Sequence, residues 1–238
     1  MEKVEIPGYE GYCKIDLDET FKFHCTKCGK CCINRHDIIL NPYDIFRAAK
    51  TLNITIKDFV KTYCTLHTGN QSRLPVVCLY PKEDTNECPL LENNKCMIHE
   101  SKPVVCAMFP LGRMIAYNAN GKNTNEKSVS YIFSDPECGD NSETHTVREW
   151  LDSFDIEEND RFFLLWSEEI SKIGESVRVI EKYLPNTEFR QMQVILADLF
   201  YGRYDVSAEF MNQFTKNIEM LHGLIDPMVE MINQAEKK

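Results

Sequence analysis

The chain has 238 residues, 11 of them cysteine, and a formal net charge of −10. The negative charge argues against a nucleic-acid surface, which is normally basic, and no run approaches the roughly 18 apolar residues of a membrane span. An odd cysteine count excludes a fully disulfide-paired set. The first residues lack a basic stretch followed by an apolar one, so we expect a cytoplasmic protein with reduced thiols.

Charge and cysteine content both change near residue 140. Residues 1–140 hold 17 Lys and Arg against 18 Asp and Glu, together with all 11 cysteines. Residues 141–238 hold 10 Lys and Arg against 19 Asp and Glu, and they contain no cysteine. We therefore predict a mainly α fold with a small β-hairpin, in which an irregular cysteine-rich metal-binding domain (1–140) precedes an acidic α-helical region (141–238). The acidic region is the surface we expect to meet any protein partner.

The first motif in chain order is the run CTKCGKCC, which contains Cys25, Cys28, Cys31 and Cys32. Thiolates packed this closely repel one another unless a cation lies among them or they oxidise. Adjacent cysteines such as Cys31 and Cys32 make poor disulfide partners, and a reducing compartment disfavours disulfides in general. The run therefore predicts a metal site.

Two short helices are predicted after this run, over about 42–51 and 56–65. Asn41 and Thr55 are suitable N-caps, and each is followed three residues later by an acid, as in a capping box. We expect both helices to pack over the metal site and give it an apolar wall. Cys64, near the end of the second helix, is predicted to be a buried thiol and not a ligand.

The second cysteine block reads CPLLENNKCMIHESKPVVCAMFP. Cys88 and Cys96 flank the segment LENNK, which predicts a hairpin-like turn. Pro103 is suited to opening a short helix that holds Cys106 in its first turn. The positive end of that helix is expected to favour the Cys106 thiolate.

Two β-strands follow, RMIAY (113–117) and SVSYIF (128–133). A loop around Asn120 and Gly121 joins them, and this dipeptide is typical of a hairpin turn. The second strand leads to Cys138, which the chain reversal places in reach of the earlier cysteines.

Amphipathic spacing predicts helices in the acidic region. Their ranges are 144–154, 160–184, 187–205 and 207–238, the last kinked or split near Pro227. Glu168 and Glu169 are expected on the solvated face, and the step from Glu219 to His222 is interpreted as a chance pattern on an exposed face. Five methionines are expected to fill the core: Met192, Met211, Met220, Met228 and Met231.

The order FHCTKCGKCC, CPLL and CMIHESKPVVCAMFP resembles the YkgJ-type cysteine-cluster family, described as a zinc- or iron-chelating domain, over residues 21 to about 150. The family pattern is CxxCxxCC, then C-x-F-L, then C-x-I-Y-x-x-R-P-x-x-C-x-x-F-P, and often C-P-G. The resemblance implies metal binding by Cys25, Cys28, Cys31, Cys32, Cys88, Cys96, Cys106 and Cys138. Three cysteines match nothing in the pattern: Cys13, Cys64 and Cys78.

The chain departs from the family pattern at three places. Lys102 replaces the usual Arg, His99 stands where the family has Tyr, and Gly139 follows Cys138 directly. A histidine three residues after Cys96 has a workable ligand spacing for zinc. Because the family has Tyr there, we leave His99 outside the predicted ligand set.

The cysteine count alone is compatible with more than one kind of metal centre. Eight cysteines can form two four-thiolate zinc sites, one four-iron cluster with four spare thiols, or a mixture. The CxxCxxC run matches the first three ligands of a bacterial ferredoxin cluster, and Cys88 followed by proline is suited to be the fourth. Zinc ribbons pair one CxxC with a second one, whereas 7 and 9 residues separate the three later cysteines. The spacing favours a 4Fe–4S cluster over zinc.

Three roles fit this pattern. The first is a metal-binding or iron–sulfur protein whose centre is structural, redox-active or regulatory. The second is a protein-modifying enzyme, since flagellin lysine N-methylases are similar in having a related cysteine cluster; no G-x-G-x-x-G run supports a nucleotide-like cofactor. The third is a redox sensor or metal chaperone in which Cys31 or Cys32 is labile. No catalytic residue can be identified from the sequence, and we expect the first role.

Overall fold

The structure is a computed structural model that describes residues 3–4, 10–117 and 127–237. The helices in these ranges are α1 (Pro42–Leu52), α2 (Ile56–Tyr63), α3 (Val104–Met108), α4 (Val147–Asp152), α5 (Arg161–Glu181), α6 (Asn186–Ala197) and α7 (Phe210–Glu236). The strands are β1 (Cys13–Ile15), β2 (Thr20–His24), β3 (Ile39–Leu40), β4 (Cys64–Thr68), β5 (Pro75–Leu79), β6 (Leu91–Glu92), β7 (Lys95–Cys96), β8 (Leu111–Tyr117), β9 (Lys127–Phe133) and β10 (Asp140–Thr146). Single turns of 3-10 helix lie at Lys30–Cys32 and His99–Ser101, and a π-helical turn lies at Asp198–Gly202.

Both predicted N-caps are present. The Asn41 side chain accepts a hydrogen bond from the Asp44 amide, and the Asp44 carboxylate accepts one from the Asn41 amide, which completes a capping box. The Thr55 side chain accepts from the Asp58 amide at the start of α2. Because α2 ends at Tyr63, two residues before its predicted end, Cys64 begins β4 and does not lie in the last turn of a helix.

The strands form four small antiparallel sheets within the described residues. Their strand orders are β1–β9–β8, β10–β2, β3–β5–β4 and β6–β7. The predicted hairpin is β8 paired with β9, and its loop around Asn120 and Gly121 lies outside the described residues. The described residues are 46% helical and 21% strand, so helices dominate, but the β structure is more extensive than one small hairpin.

Residues 140–146 form a strand, although the helix over 144–154 is predicted to begin within them. β10 pairs with β2, with Asp140 opposite His24, and α4 begins only at Val147. The sequence DNSETHT has no apolar alternation of its own, so the partner strand decides its conformation. The backbone pairing crosses the change in composition near residue 140, and the division into two domains there stays a prediction.

The larger core lies between α1, α2, the β3–β5–β4 sheet and the helices α5 to α7. It contains residues from both sides of residue 140, including Phe59 of α2 and Ile173 of α5. Its largest fully buried side chains include Leu40, Ile45, Phe59, Leu74, Leu90, Ile98, Ile173, Phe200 and Phe214. Close packing of these side chains supplies most of the apolar burial of the helical part.

The smaller core lies between the β1–β9–β8 and β10–β2 sheets and the short helices α3 and α4. Its centre is aromatic: the Trp150 ring lies edge-on to Phe21 and Phe23 at centroid distances of 5.8 and 5.6 Å. The Trp150 indole N–H donates to the Met108 carbonyl at 3.1 Å. Its buried members are Ile15, Phe21, Phe23, Val104, Ala107, Met108, Leu111, Tyr131, Val147, Trp150, Leu151 and Ile156.

The last three helices differ from their predictions at the ends. α6 stops at Ala197 and passes into the π-helical turn, whereas a helix to residue 205 is predicted. α7 runs without interruption through Pro227, so the helix is not split there. Among the described helices, none has both the length and the apolar run that crossing a membrane would need.

Several side chains of these helices are placed differently from the prediction. Glu169 is buried, not solvated, and its Oε2 lies 2.7 Å from His222 Nε2. The Glu219–His222 step is therefore not merely a pattern on an exposed face, because His222 contacts a second helix. Met192 is buried and Met228 packs against the larger core. Three methionines are exposed instead: Met211, Met220 and Met231.

Candidate metal centre

The CTKCGKCC run begins where β2 ends. Gly29 has φ 73° and ψ −4°, a left-handed conformation that glycine adopts without steric cost, and it turns the chain into the 3-10 turn Lys30–Cys32. Cys25 and Cys28 stay exposed, while Cys31 and Cys32 are partly buried. The sulfurs of this last pair lie 3.9 Å apart.

The second block comes to the first beside an antiparallel bridge between Ile33 and Glu87. The Cys88 amide donates to the Cys32 carbonyl at 2.6 Å. Asn93 and Asn94, both with positive φ, form the tight turn between β6 and β7, where such a conformation is favoured. This hairpin places Cys96 opposite Leu91, close in space to Cys88.

Cys106 is positioned by a buried carboxylate on α1. Asp44 Oδ1 accepts from the Val104 amide at 2.9 Å, at the start of α3. The Arg47 guanidinium lies 3.6 Å from the same oxygen and donates to the Lys102 carbonyl at 2.9 Å. Burial raises the pKa of Asp44, and the hydrogen bond from Val104 opposes that rise. α1 thereby fixes the segment that carries Cys106.

Cys138 reaches the cavity through the pairing of β10 with β2. Gly139 has φ +72°, and a Cβ there would lie 2.4 Å from the His24 carbonyl oxygen. Its amide hydrogen-bonds to the Cys28 sulfur, a contact that proline cannot make. The departure from the family's C-P-G step therefore has a local structural reason.

All eight predicted ligands line one cavity of about 430 Å³. The larger core contributes one wall, including Ile38 and Leu90, and the smaller core contributes another, including Phe23 and Trp150. The three cysteines outside the family pattern do not line it. The structure thus brings together a set that is scattered over more than a hundred positions of the sequence.

The charged side chains that line this cavity are all cationic. They are Lys27, Arg35, Lys95 and Lys102, and no Asp or Glu is among the lining residues. Sequence reasoning did not identify this cationic set. A signal existed for two of them, because Lys27 and Lys95 directly precede Cys28 and Cys96.

Hydrogen bonds and charge favour the thiolate at two positions. Amide groups of Lys30 and Gly139 lower the pKa of the Cys28 thiol. The hydrogen bond between Cys31 and Cys32 lowers the pKa of Cys31, with a further contribution from Lys102, and raises the pKa of Cys32. A thiolate is the form that binds metal.

Burial favours the protonated thiol at four further positions. It raises the pKa of Cys88 and Cys96, and it raises that of Cys138 to about 11. Burial also raises the pKa of Cys106. This burial acts against the expected effect of the helix N-terminus on the Cys106 thiol, and α3 is only 5 residues long.

The two histidines near the thiols differ in their surroundings. His99 lines the cavity, where burial lowers its pKa and keeps the ring neutral. His24 Nδ1 lies 3.3 Å from the Asp140 carboxylate, so one of its nitrogens is already engaged.

The donor set fits a thiolate-bound metal, but the sulfurs do not surround a single point. In the part of the chain that the structure describes, no three His, Cys, Asp or Glu side chains converge closely enough to hold an ion. Soft thiolates select zinc, copper(I) and iron–sulfur clusters over hard cations. The cavity is therefore a candidate centre for one of these.

Three cysteines lie elsewhere. Cys78 is buried on β5, and Cys13 begins β1. Cys64 packs against the larger core, and burial raises its pKa to about 12. Cys64 is predicted to be a buried thiol, and the structure places it only partly buried and away from the cavity.

Comparison with known families identifies the cysteine-rich part of the chain. Residues 24–138 match the model of the CxxCxxCC family, whose description is "Putative zinc- or iron-chelating domain". Comparison with curated proteins returned no similar chain, and comparison with solved structures returned none either. The matched range contains every cysteine that lines the cavity, and residues 24–138 of this chain therefore belong to the CxxCxxCC family of zinc- or iron-chelating domains.

Proposed function

We propose that this chain is a cytoplasmic metal-binding protein that holds an iron–sulfur cluster, of the 4Fe–4S type, in its cysteine-lined cavity. One observation carries the proposal: eight cysteines line a single cavity whose charged side chains are all cationic. Four thiolates bound to such a cluster leave the centre with net negative charge, which nearby cations stabilise. The centre has a structural, redox or regulatory role.

The spacing of the cysteines along the chain supports a cluster over single zinc ions. Cys25, Cys28 and Cys31 are spaced like the first three ligands of a bacterial ferredoxin cluster, and Cys88 is followed by proline, as the fourth ligand often is. A four-iron cluster holds its thiolates farther apart because several metal atoms separate them. The cavity of about 430 Å³ has room for such a centre.

The surrounding residues have distinct roles in this proposal. Amides of Lys30 and Gly139 donate to the Cys28 sulfur, and hydrogen bonds to sulfur raise the reduction potential of a bound cluster. Lys102 lies near Cys31, with its ammonium 4.3 Å from the Phe154 ring centroid. When bound, the cluster supplies one-electron chemistry or a structural cross-link, and the aromatic wall limits water access to it.

Purification without oxygen, followed by iron, sulfide and zinc analysis, tests the proposal. We expect iron and sulfide in equal amounts and an absorption band near about 400 nm. A Cys31→Ser, Cys32→Ser variant should lose most of the metal. Cys13→Ser is the matched control, because Cys13 does not line the cavity. Colourless protein with stoichiometric zinc would support the zinc alternative and refute the cluster. Protein without metal would refute both.

The size of the cavity also favours a second function. Pockets for small molecules measure roughly 300–1,000 Å³, and this cavity falls within that range. A protein-modifying enzyme related to flagellin lysine N-methylases would use the space for a cofactor beside the metal. Titration calorimetry of the metal-loaded protein with S-adenosylmethionine tests this function, and absence of binding heat would count against it.

A further inference from the structure

Four aromatic side chains form one wall of the cavity: Phe23, Phe109, Trp150 and Phe154. The Trp150 ring lies edge-on to Phe23 and to Phe154, with 5.6 Å between the ring centroids in both pairs. Phe23 also lies edge-on to Phe109 at 5.9 Å. Rings packed edge to face hold one another in place, so this aromatic wall is a fixed apolar surface on which a flat apolar group can pack.

Three lysines at the cavity have no carboxylate partner among the residues that the structure describes. They are Lys27, Lys95 and Lys102. Arg35, the fourth cation, differs from them because it donates two hydrogen bonds to the Asp37 carboxylate, at 2.6 and 3.0 Å. The lysine ammonium groups are therefore the cations that can donate to a bound anion.

Lys102 joins these cations to the aromatic wall. Its ammonium lies 4.3 Å from the Phe154 ring centroid, and Arg47 donates to its backbone carbonyl at 2.9 Å, which fixes the start of the side chain. Burial lowers the pKa of His99, and the charges of Lys102 and Lys27 lower it further, so both ammonium groups act at the same part of the cavity. An apolar group on the wall and a negative group at the lysines can thus belong to one molecule.

A single four-thiolate metal centre does not cancel the charge of these cations. Four thiolates around one zinc ion carry a net charge of about −2. Four cations line the cavity and Asp37 offsets one of them, so about one positive charge remains beside the centre. Thiols outside the centre add no charge where burial raises their pKa, as at Cys106 and Cys138. The remaining charge fits a singly charged carboxylate better than a doubly charged phosphate.

We propose that the cavity binds a small organic carboxylate whose flat apolar body packs on the aromatic wall. The carboxylate group lies at Lys27 and Lys102, and Lys95 adds attraction from its exposed position. Hydrogen bonds between an ammonium and a carboxylate are stronger than neutral ones, above all where apolar walls exclude water. The site goes beyond the proposed metal-binding function and does not require a particular metal.

Equilibrium dialysis of the metal-loaded full chain against radiolabelled benzoate tests the proposal. Benzamide is the control ligand, because it has nearly the same shape and no charge. We expect one benzoate per chain, with a Kd of about 1 mM or lower. Benzamide should bind at least about tenfold more weakly, since it forms no charge-assisted hydrogen bond with the lysines.

Matched variants locate the site. Lys27→Gln and Lys102→Gln should each weaken benzoate binding about tenfold, and Phe154→Leu, which keeps apolar volume but loses the ring, should weaken it about threefold. Lys50→Gln is the control, because the Lys50 ammonium also lies over a ring, 6.0 Å from the Phe46 centroid, but outside the cavity. It should bind benzoate like the wild type. Metal content is measured in each variant, and Lys27→Gln should retain its metal.

Equal binding of benzoate and benzamide by the wild type would overturn the proposal, and this comparison does not depend on the folding of any variant. Unchanged benzoate binding in both lysine variants would overturn it as well. So would loss of metal together with benzoate binding from Lys27→Gln at unchanged circular dichroism, because the lysine would then serve the metal centre only. Wild-type protein without metal would refute the proposed function, whereas benzoate binding by that protein would still support the carboxylate site.

Discussion

The larger and smaller cores are built from different secondary-structure elements. The larger core is covered by α5 and α7, which have 21 and 27 residues, and it contains most of the large fully buried side chains, including Phe59, Phe200 and Phe214. The smaller core relies on two narrow sheets and on α3 and α4, which have 5 and 6 residues. Helices this short do not form without tertiary contacts.

This difference indicates which part of the molecule depends on a bound centre. Burying one large apolar side chain stabilises a fold by about 1.5–3 kcal/mol, so the larger core is stable through its apolar contacts. The smaller core shares Phe23 and Trp150 with the wall of the cavity and carries Cys138 at its edge. Metal bound to the thiols would therefore cross-link the smaller core to the larger one.

Removal of the metal should have the largest effect. Structural metal sites contribute roughly 10–16 kcal/mol to folding in small domains, and here the effect should fall on one region. After chelation, we expect amides of β2, β10 and α4 to lose protection from hydrogen exchange, while those of α5 and α7 keep it. Mass spectrometry of peptides from both regions measures this. Equal loss in all these elements would contradict the difference between the cores.

A matched pair of core truncations should have the next largest effect. Phe59→Ala removes a fully buried ring from the larger core, and Leu151→Ala removes a fully buried side chain from α4 in the smaller core. Each should lower the free energy of unfolding by about 2–5 kcal/mol, as measured by urea denaturation. Only Leu151→Ala should also lower the metal content of the folded protein. Metal loss from Phe59→Ala but not from Leu151→Ala would mean that the metal centre depends on the larger core and not on the smaller one.

Asp44 links α1 of the larger core to α3 of the smaller one. Asp44→Ala leaves the Val104 amide and the Arg47 guanidinium without this carboxylate. An unsatisfied buried donor costs about 1–3 kcal/mol, so we expect a loss of about 3 kcal/mol in the same urea assay. Asp44→Asn is the control: it keeps one acceptor oxygen and should lose less. Equal losses would show that the charge matters and the hydrogen bond to Val104 does not.

Local features were predictable from the sequence. The caps at Asn41 and Thr55 fix the starts of α1 and α2 because the interacting groups are only three residues apart. The eight cavity cysteines followed from the family pattern. Their grouping on two cores did not, since it depends on the register of β2 with β10 and on the burial of the later cysteines.

Features that depend on distant partners were missed. β10 is polar in sequence and becomes a strand because β2 provides its hydrogen bonds. Glu169 occupies a position that helical spacing assigns to solvent, but α7 packs along α5 and covers it. Cys106 lies at a helix start, where the dipole rule favours thiolate, and its burial acts in the opposite direction.

The smallest effect concerns a histidine far from the thiols. His222 Nε2 lies 2.7 Å from Glu169 Oε2, and His222 Nδ1 lies 3.3 Å from Asp226. Lys172 is the nearby cation, 3.5 Å from Glu169. The hydrogen bond to Glu169, followed by that to Asp226, raises the pKa of His222. The protonated ring therefore stabilises the contact between α5 and α7.

The sign of the pH dependence follows from that raised pKa. The stabilisation is fully present below the unfolded pKa of 6.5 and is lost as the pH rises through the higher folded value. Between about pH 6 and about pH 8, the free energy of unfolding should fall by about 1 kcal/mol or less, because His222 is partly exposed and solvent screens the pair. His222→Gln should flatten this slope and leave metal content unchanged, whereas His67→Gln, at an exposed position of β4, should keep the slope. If the slope remains in His222→Gln, another group causes the pH dependence. Metal loss in that variant would mean that the larger core and the cavity are coupled more tightly than their separate contacts suggest.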